Sequence, residues 1–331
     1  MVSVATLSGG TGGYNLLRAL KGFPYEHIYA VVGMADSGGS SGVLRSEIGI
    51  LPPGDIRSCI ASLADDEKLI SELFSYRFGR GTGLGGHSLG NLMITALAEI
   101  TGSFERAIYE VGKLLSIAGR VLPVTLDDTD LCVRLKDGRI IKGEHLIDRG
   151  FDFPIVDAWL EPEAHIYHEA EDALKTSDLR IISPGSLWGS IAQVLLPIGV
   201  KEAVKNGILI YVVNLVTEAG NTGFFPSSDD FSAYDHVRIV QELAGRPLNY
   251  VLVNTTSHDE VDRLYLPEGK RPVPYSERGR RRMIDELGVG QIIENDYLSR
   301  DGIQLGIYRH DPEKLGKDIW SIVKQLNLSD H

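Results

Sequence analysis

Apolar and polar positions along the chain follow two alternating periods. Short runs dense in Val, Ile and Leu at residues 2–7, 28–32, 179–182, 208–213 and 250–253 are bounded by Gly, Ser, Asn and Asp, and read as strands. Between them, apolar residues recur three and four apart at 14–21, 66–76, 89–100, 104–115, 200–205 and 237–244, the spacing of amphipathic helices. Strands apolar on both faces and separated by helices predict a doubly wound, mainly parallel Rossmann-like α/β sheet covered on both sides. Residues 121–161 break the rhythm. The stretch LCVRLKDGRIIKGE is two alternating runs about Asp137-Gly138, a hairpin signature, so a small β insertion is expected within a single α/β domain spanning 1–331.

Each predicted strand runs into a loop of small and polar residues: SGGTGG at 8–13, GMADSGGSSG at 33–42, SPGSLWGS at 183–190, NLVTEAGNTG at 214–223 and NTTSH at 254–258. In an open parallel sheet such loops lie at one end and line one polar crevice, where ligands bind. Gly9, Gly10, Thr11, Gly12 and Gly13 join a strand to a helix. They allow close backbone approach and offer the unpaired N–H groups of a helix start to an anion. The spacing matches neither the Walker A loop nor G-x-G-x-x-G, and no acidic residue closes the second strand, which argues against a nicotinamide dinucleotide.

In the second loop Asp36, flanked by Gly38, Gly39 and Ser40, is placed either to hold hydrated Mg²⁺ or a sugar hydroxyl, or to close an Asx turn. Asp55 either caps a helix or enters the site, and Arg57 in its first turn either reaches a phosphate or forms an ion pair. In GTGLGGHSLGNLMITAL, His87 and Asn91 stand four apart, on one face if the helix already includes residue 87; each is either a ligand contact or a structural hydrogen-bonder. Gly185 and Ser186 suit a ribose or phosphate as well as a loop-to-helix cap. Neither a second His or Cys at zinc spacing nor a G-x-S-x-G elbow is found.

Composition narrows the class. With 331 residues and 43% hydrophobic content there is ample material for a core, and no window approaches the ~20 apolar residues of a membrane span. A net charge of −12 argues against a broad nucleic-acid surface. Arg278 and Arg280 to Arg282 read as a solvated helix face. The chain enters a strand at once without a signal-peptide pattern, and its two cysteines, Cys59 and Cys132, lie far apart; both features suit a cytoplasmic setting.

SGGTGG, ADSGGSSGVLR, PPGDIRSCIASL, FSYRF, GHSLGNLMITAL, GRVLPVT and SPGSLWGSI, in that order, resemble the YvcK family of gluconeogenesis factors, which is related to the CofD phospholactate transferases. The resemblance covers nearly the whole chain, including ELGVG near 286–290 and YRHDPEKL near 308–315. It implies a dimeric protein that binds a nucleotide sugar such as UDP-N-acetylglucosamine, linked to cell-wall precursor control and cell shape during gluconeogenic growth, with a regulated protein partner. It would set the diphosphate on Gly9 to Gly13, with ligand contacts at Asn214 and Arg309. The CofD side implies instead Mg²⁺ at Asp36 and phosphoester transfer to a flavin-like alcohol, with Trp188, Phe224 and Phe225 as candidate walls for that acceptor. Ser37 stands where many relatives carry a second Asp, which removes one carboxylate from that metal position.

Overall fold

The computed structural model of the chain describes residues 2–64, 68–79, 83–219, 221, 222 and 231–328. Seven strands make the central sheet: β1 (Ser3–Ser8), β2 (His27–Val32), β3 (Arg120–Pro123), β7 (Leu179–Ile182), β8 (Ile208–Val212), β9 (Tyr250–Asn254) and β10 (Gln291–Asn295). The intervening β4 (Asp130–Leu135), β5 (Ile140–Lys142) and β6 (Ile155–Glu161) form a separate antiparallel sheet in the order β5-β4-β6. The central sheet runs β10-β9-β8-β7-β1-β2-β3, and every pairing in it is parallel.

The five strands read from the sequence are the interior of this sheet. All four residues of β7 are buried, as are Val4, Ala5 and Leu7 of β1 and Leu209 to Val212 of β8. Helices therefore cover both faces, and a run of β-branched side chains satisfies both. The two strands not expected, β3 and β10, are the edges. β3 has only four residues and ends on a proline, and β10 is half exposed, so neither carries a long apolar run. The insertion is correspondingly narrower than the expected 121–161: residues 121–123 pair with β2 in the central sheet, and the antiparallel sheet occupies 130–161. Its hairpin turns at Asp137-Gly138, where Gly138 has φ +91°, a left-handed conformation that glycine adopts without strain.

Eight helices matter for the crevice: α1 (Gly10–Lys21), α2 (Gly39–Ile48), α3 (Gly54–Leu63), α4 (Lys68–Ser75), α5 (Leu89–Thr101), α6 (Phe104–Leu114), α7 (Glu144–Ile147) and α8 (His168–Thr176). The expected helix at 66–76 is α4 where it is described; residues 66 and 67 lie outside the described part. Helix α1 packs on α3 and on the C-terminal helix Pro312–Gln325. Arg45 of α2 ties the insertion to the main domain by hydrogen bonds to Asp128 (2.8 Å), Asp130 (2.7 Å) and the Thr129 carbonyl (3.1 Å). Among the described residues no helix is long and apolar enough to cross a membrane.

Candidate functional site

Strand β1 lies between β2 and β7, so the chain leaves it on one side of the sheet and later returns on the other. The space beyond the carboxyl ends of β1 and β7 is therefore the topological switch point, where open α/β sheets bind ligands. The glycine segment sits on one side of it and the turn at 184–186 on the other. Helix α1 begins immediately after β1, with Gly9 as an extended N-cap that supplies no side-chain hydrogen bond and Gly10 at φ +56°. Thr11 lies in the first turn of this helix.

Gly12 is required for packing. A Cβ there would stand 1.7 Å from the Pro184 carbonyl oxygen, so the start of α1 and the β7 turn lie backbone against backbone. The glycine was expected to make room for a ligand; at this position it makes room for the protein's own chain. Gly13 likewise abuts Ser8 of β1. The 184–186 turn is held from below by Asn214, whose side-chain oxygen accepts from the Gly185 N–H (2.8 Å) and whose amide donates to the Gly185 carbonyl (2.6 Å). The Ser186 hydroxyl caps the following turn by accepting from Gly189 N–H (3.0 Å) and donates to Asp148 (3.1 Å).

Carboxylates converge on the same place from four segments. Asp55, in the first turn of α3, accepts from the Gly10 N–H, and its pKa is pushed up to about 7 by burial and then by the Asp36 charge. Asp36 accepts the Gly38 N–H (2.9 Å), the Asx turn weighed above, while its other oxygen faces Gly54 at the start of α3. The insertion then folds back over the crevice. A Gly143 hinge at φ +103° starts α7, which carries Glu144 and leads to Asp148. Burial, then Asp148 and Asp36, hold Glu144 well above the carboxylate range. Ser37 anchors this lobe through contacts to the His145 ring (2.9 Å) and the His145 N–H (3.2 Å). Glu218, after β8, is pushed up to about 7 by burial and Asp148, although the Ser186 hydroxyl and Leu187 N–H hydrogen-bond to it.

Two cavities open on the other side of α1. One of about 220 Å³ is lined by Gly12, Asn15, Gly185, Ser186, Asn214, Glu218 and Arg309. The other, of about 800 Å³, is lined by Asn15, Arg18, Arg57, Arg300 and Arg309 among others, so Asn15 and Arg309 border both. The structure thus brings Gly12, Gly185, Ser186, Asn214 and Arg309 together around one cavity and places Arg57 in the adjoining one. Gly9, Gly10 and Asp36 lie at the carboxylate side, with Gly38 as the N-cap and Gly39 as the first residue of α2.

Ser40, His87 and Asn91 form a buried cluster lining neither cavity. The Ser40 hydroxyl lies 2.9 Å from the His87 ring and accepts from the Asn91 amide at 3.0 Å, tying α2 to α5. Ser88 rather than His87 starts the helix, so the four-residue spacing acts through Ser40. Trp188 is packed in the core and walls neither cavity; Phe224 and Phe225 lie outside the described residues.

The family profile of 2-phospho-L-lactate transferase CofD matches residues 4–295. The chain belongs to the CofD family. This CofD-family chain is 37% identical to the gluconeogenesis factor of Bacillus subtilis over 329 residues, covering 97% of this chain and 98% of that protein. It is 37% identical to the gluconeogenesis factor of Halalkalibacterium halodurans, covering 96% and 95% respectively. A crystal structure of a UPF0052-family protein from Bacillus halodurans superposes with a TM-score of 0.87 at 35% identity, over 96% of this chain and 98% of that one.

The residues that the sequence reading missed are Glu144, Asp148, Glu218 and Asn15. Glu144 and Asp148 stand four apart in GEHLID just after the hairpin, a one-face helical signal that a reading of sheet loops alone passes over.

Proposed function

We propose that this CofD-family chain binds a nucleoside diphosphate sugar of the UDP-N-acetylglucosamine type in the switch-point crevice. In this reading it is a cytoplasmic, homodimeric regulator of central carbon and cell-wall precursor metabolism and of cell shape during gluconeogenic growth, acting on a protein partner. The observation that carries the reading is the convergence of the first turn of α1 at Gly12, the Asn214-held turn and Arg309, which has no ion pair among the described residues, on one cavity. Asn15 adds a side-chain amide with no hydrogen bond among the described residues, free for a ligand oxygen.

The carboxylates bear on Mg²⁺. Asp36, Asp55, Glu144 and Asp148 are hard oxygen donors, and the charges of Asp36 and Asp148 help to raise the pKa of Asp55 and Glu144, an arrangement that a cation would relieve. Among the described residues no three acidic, His or Cys side chains are arranged as a ready metal cage. Mg²⁺ fits such a set, since it keeps several waters and takes one or two carboxylates together with substrate phosphates. Bound there, it would neutralise phosphate charge beside the acidic lobe. Asp36 and Asp55 are the residues to hold it, with Glu144 and Asp148 approaching from the insertion.

One observation favours a second reading, phosphoester transfer of the CofD type. Asp55 and Glu218 ionise near pH 7, as a proton-accepting group would for an attacking alcohol. One experiment separates the two. Calorimetric titration with UDP-N-acetylglucosamine, with and without Mg²⁺, is followed by mass analysis of the same samples. Binding near −8 kcal/mol, about micromolar, with intact ligand supports the regulator. Mg²⁺-dependent breakdown supports the transferase, and absence of binding overturns the nucleotide-sugar assignment.

A further inference from the structure

The larger cavity holds an excess of cationic side chains that the nucleotide-sugar reading does not use. In a chain of net charge −12, Arg18, Arg57 and Arg300 line one cleft of about 800 Å³, and none makes an ion pair among the described residues. Nine of the seventeen other described arginines do: Arg45, Arg106, Arg120, Arg134, Arg139, Arg238, Arg280, Arg281 and Arg282 each lie within ion-pair distance of a carboxylate.

Arg57 is the most telling. Its guanidinium donates to the Ser58 hydroxyl (3.1 Å), its Nε is buried without a partner, and burial followed by the Arg77 charge lowers its pKa. A half-buried, under-satisfied guanidinium is costly unless an anion completes it. The acidic residues on the far rim are mostly committed elsewhere: Asp311 caps the C-terminal helix and Glu313 pairs with Lys317.

We infer that this cleft is a second anion site, built by Arg18, Arg57 and Arg300 for the dianionic phosphate of a small phosphomonoester. Guanidinium forks match phosphate oxygens bidentately. The rest of the lining mixes polar Ser58, Ser75 and Asn15 with apolar Ala61 and Leu305 and the acidic Asp301, and its one phenol ring, Tyr14, already lies under Arg18 at 5.9 Å. That suits the hydroxyls of a sugar phosphate and disfavours a nucleobase. Because Asn15 and Arg309 border both cavities, occupancy of this cleft is placed to be felt at the switch point. The inference stands whether or not the nucleotide-sugar assignment holds.

The test is calorimetric titration of the whole protein with inorganic phosphate and with glucose 6-phosphate, alone and after saturation with UDP-N-acetylglucosamine, using the parent, Arg18→Gln and Arg300→Gln. Both substitutions are at exposed positions. The expected result is binding of both probes to the parent, retained in the presence of the nucleotide sugar and weakened about tenfold or more in each variant, the loss of one charge-assisted contact. The variants should keep the parent's affinity for the nucleotide sugar. Absence of probe binding overturns the inference, as does unchanged binding in both variants. Displacement of the probes by UDP-N-acetylglucosamine also overturns it, because the cleft would then be the phosphate end of one continuous site.

Discussion

Asp55 offers the sharpest measurement of whether the crevice is a strained acidic site. Its carboxyl ionises at about 7 rather than at the ordinary 3.8, because it is buried and faces Asp36. The folded protein therefore binds the Asp55 proton more tightly than the unfolded chain does. The sign follows directly: Asp55 costs nothing below pH 3.8, and stability falls as pH rises from there to about 7, beyond which the loss is constant. At 1.36 kcal/mol per tenfold in proton affinity, the displacement corresponds to about 4 kcal/mol as an upper bound. Relaxation and water entry around the charge bring the expected value nearer to about 2 kcal/mol. Asp55→Asn removes the charge but keeps an oxygen for the Gly10 N–H. Urea unfolding in EDTA should show the variant about 2 kcal/mol more stable than the parent at pH 8 and nearly equal to it at about pH 4. Mg²⁺ should raise the parent's midpoint at pH 8 more than the variant's, since only the parent offers the carboxylate. A variant less stable than the parent by the same amount at both pH values would mean that the Asp55 charge is well satisfied, and the reasoning from burial would fail.

Four further outcomes follow from the same geometry. Gly12→Ala would force its Cβ against the Pro184 carbonyl, so it should lower stability by about 1–3 kcal/mol and nucleotide-sugar affinity together; an unchanged Tm would refute the packing role. Asn214→Leu strips both bonds from Gly185, and thermal unfolding should show a loss of about 2 kcal/mol with weakened ligand binding, whereas wild-type affinity would sink its role in holding the turn. Arg45→Ala removes the anchor of the insertion on Asp128 and Asp130. Hydrogen exchange in 130–161 should then accelerate, with a global stability loss of only about 1 kcal/mol; unchanged exchange there would show that other contacts hold the lobe. Finally, in EDTA the nucleotide-sugar affinity should fall between about pH 6 and 8 as Asp55 and Glu218 ionise beside the diphosphate, and Mg²⁺ should flatten or reverse that slope; a profile flat in both conditions would place the phosphates away from these acids.

What was legible in the sequence is what local pattern encodes. Interior strands such as β8 are apolar on both faces, and the Asp137-Gly138 turn declares its hairpin without tertiary help. The loops that follow the strands could also be placed at one sheet end, because parallel strands leave no other choice. Tertiary facts were out of reach. Nothing local says that α7 folds back to bring Glu144 beside Asp36, or that Gly12 faces the backbone at Pro184, 172 positions along the chain. The edge strand β3 escaped because it has only four residues and ends on a proline, and β10 because a half-exposed strand needs little apolar sequence. His87 and Asn91 drew notice for a polar spacing that the fold spends on a buried tie to Ser40.

The crevice is electrically two-sided, and that constrains its ligand more than its shape does. On the insertion side, burial and neighbouring carboxylates raise Asp55 and Glu144, so that side disfavours an anion. Across α1, Arg309 carries no ion pair among the described residues and favours one. A bare diphosphate laid on the α1 start would meet the carboxylate of Asp55, which already occupies the Gly10 N–H. A diphosphate carrying a divalent cation would suit both sides, with the acids to receive the metal and Arg309 the phosphate oxygens. The glycine segment then serves mainly to let α1 start close against the 184–186 turn, so that Asn15, one turn into the helix, arrives between the two cavities. On this reading the insertion would be part of the proposed site, because Glu144 and Asp148 supply its half of the acidic face, and loss of residues 130–161 is expected to weaken divalent-cation binding more than it destabilises the central sheet.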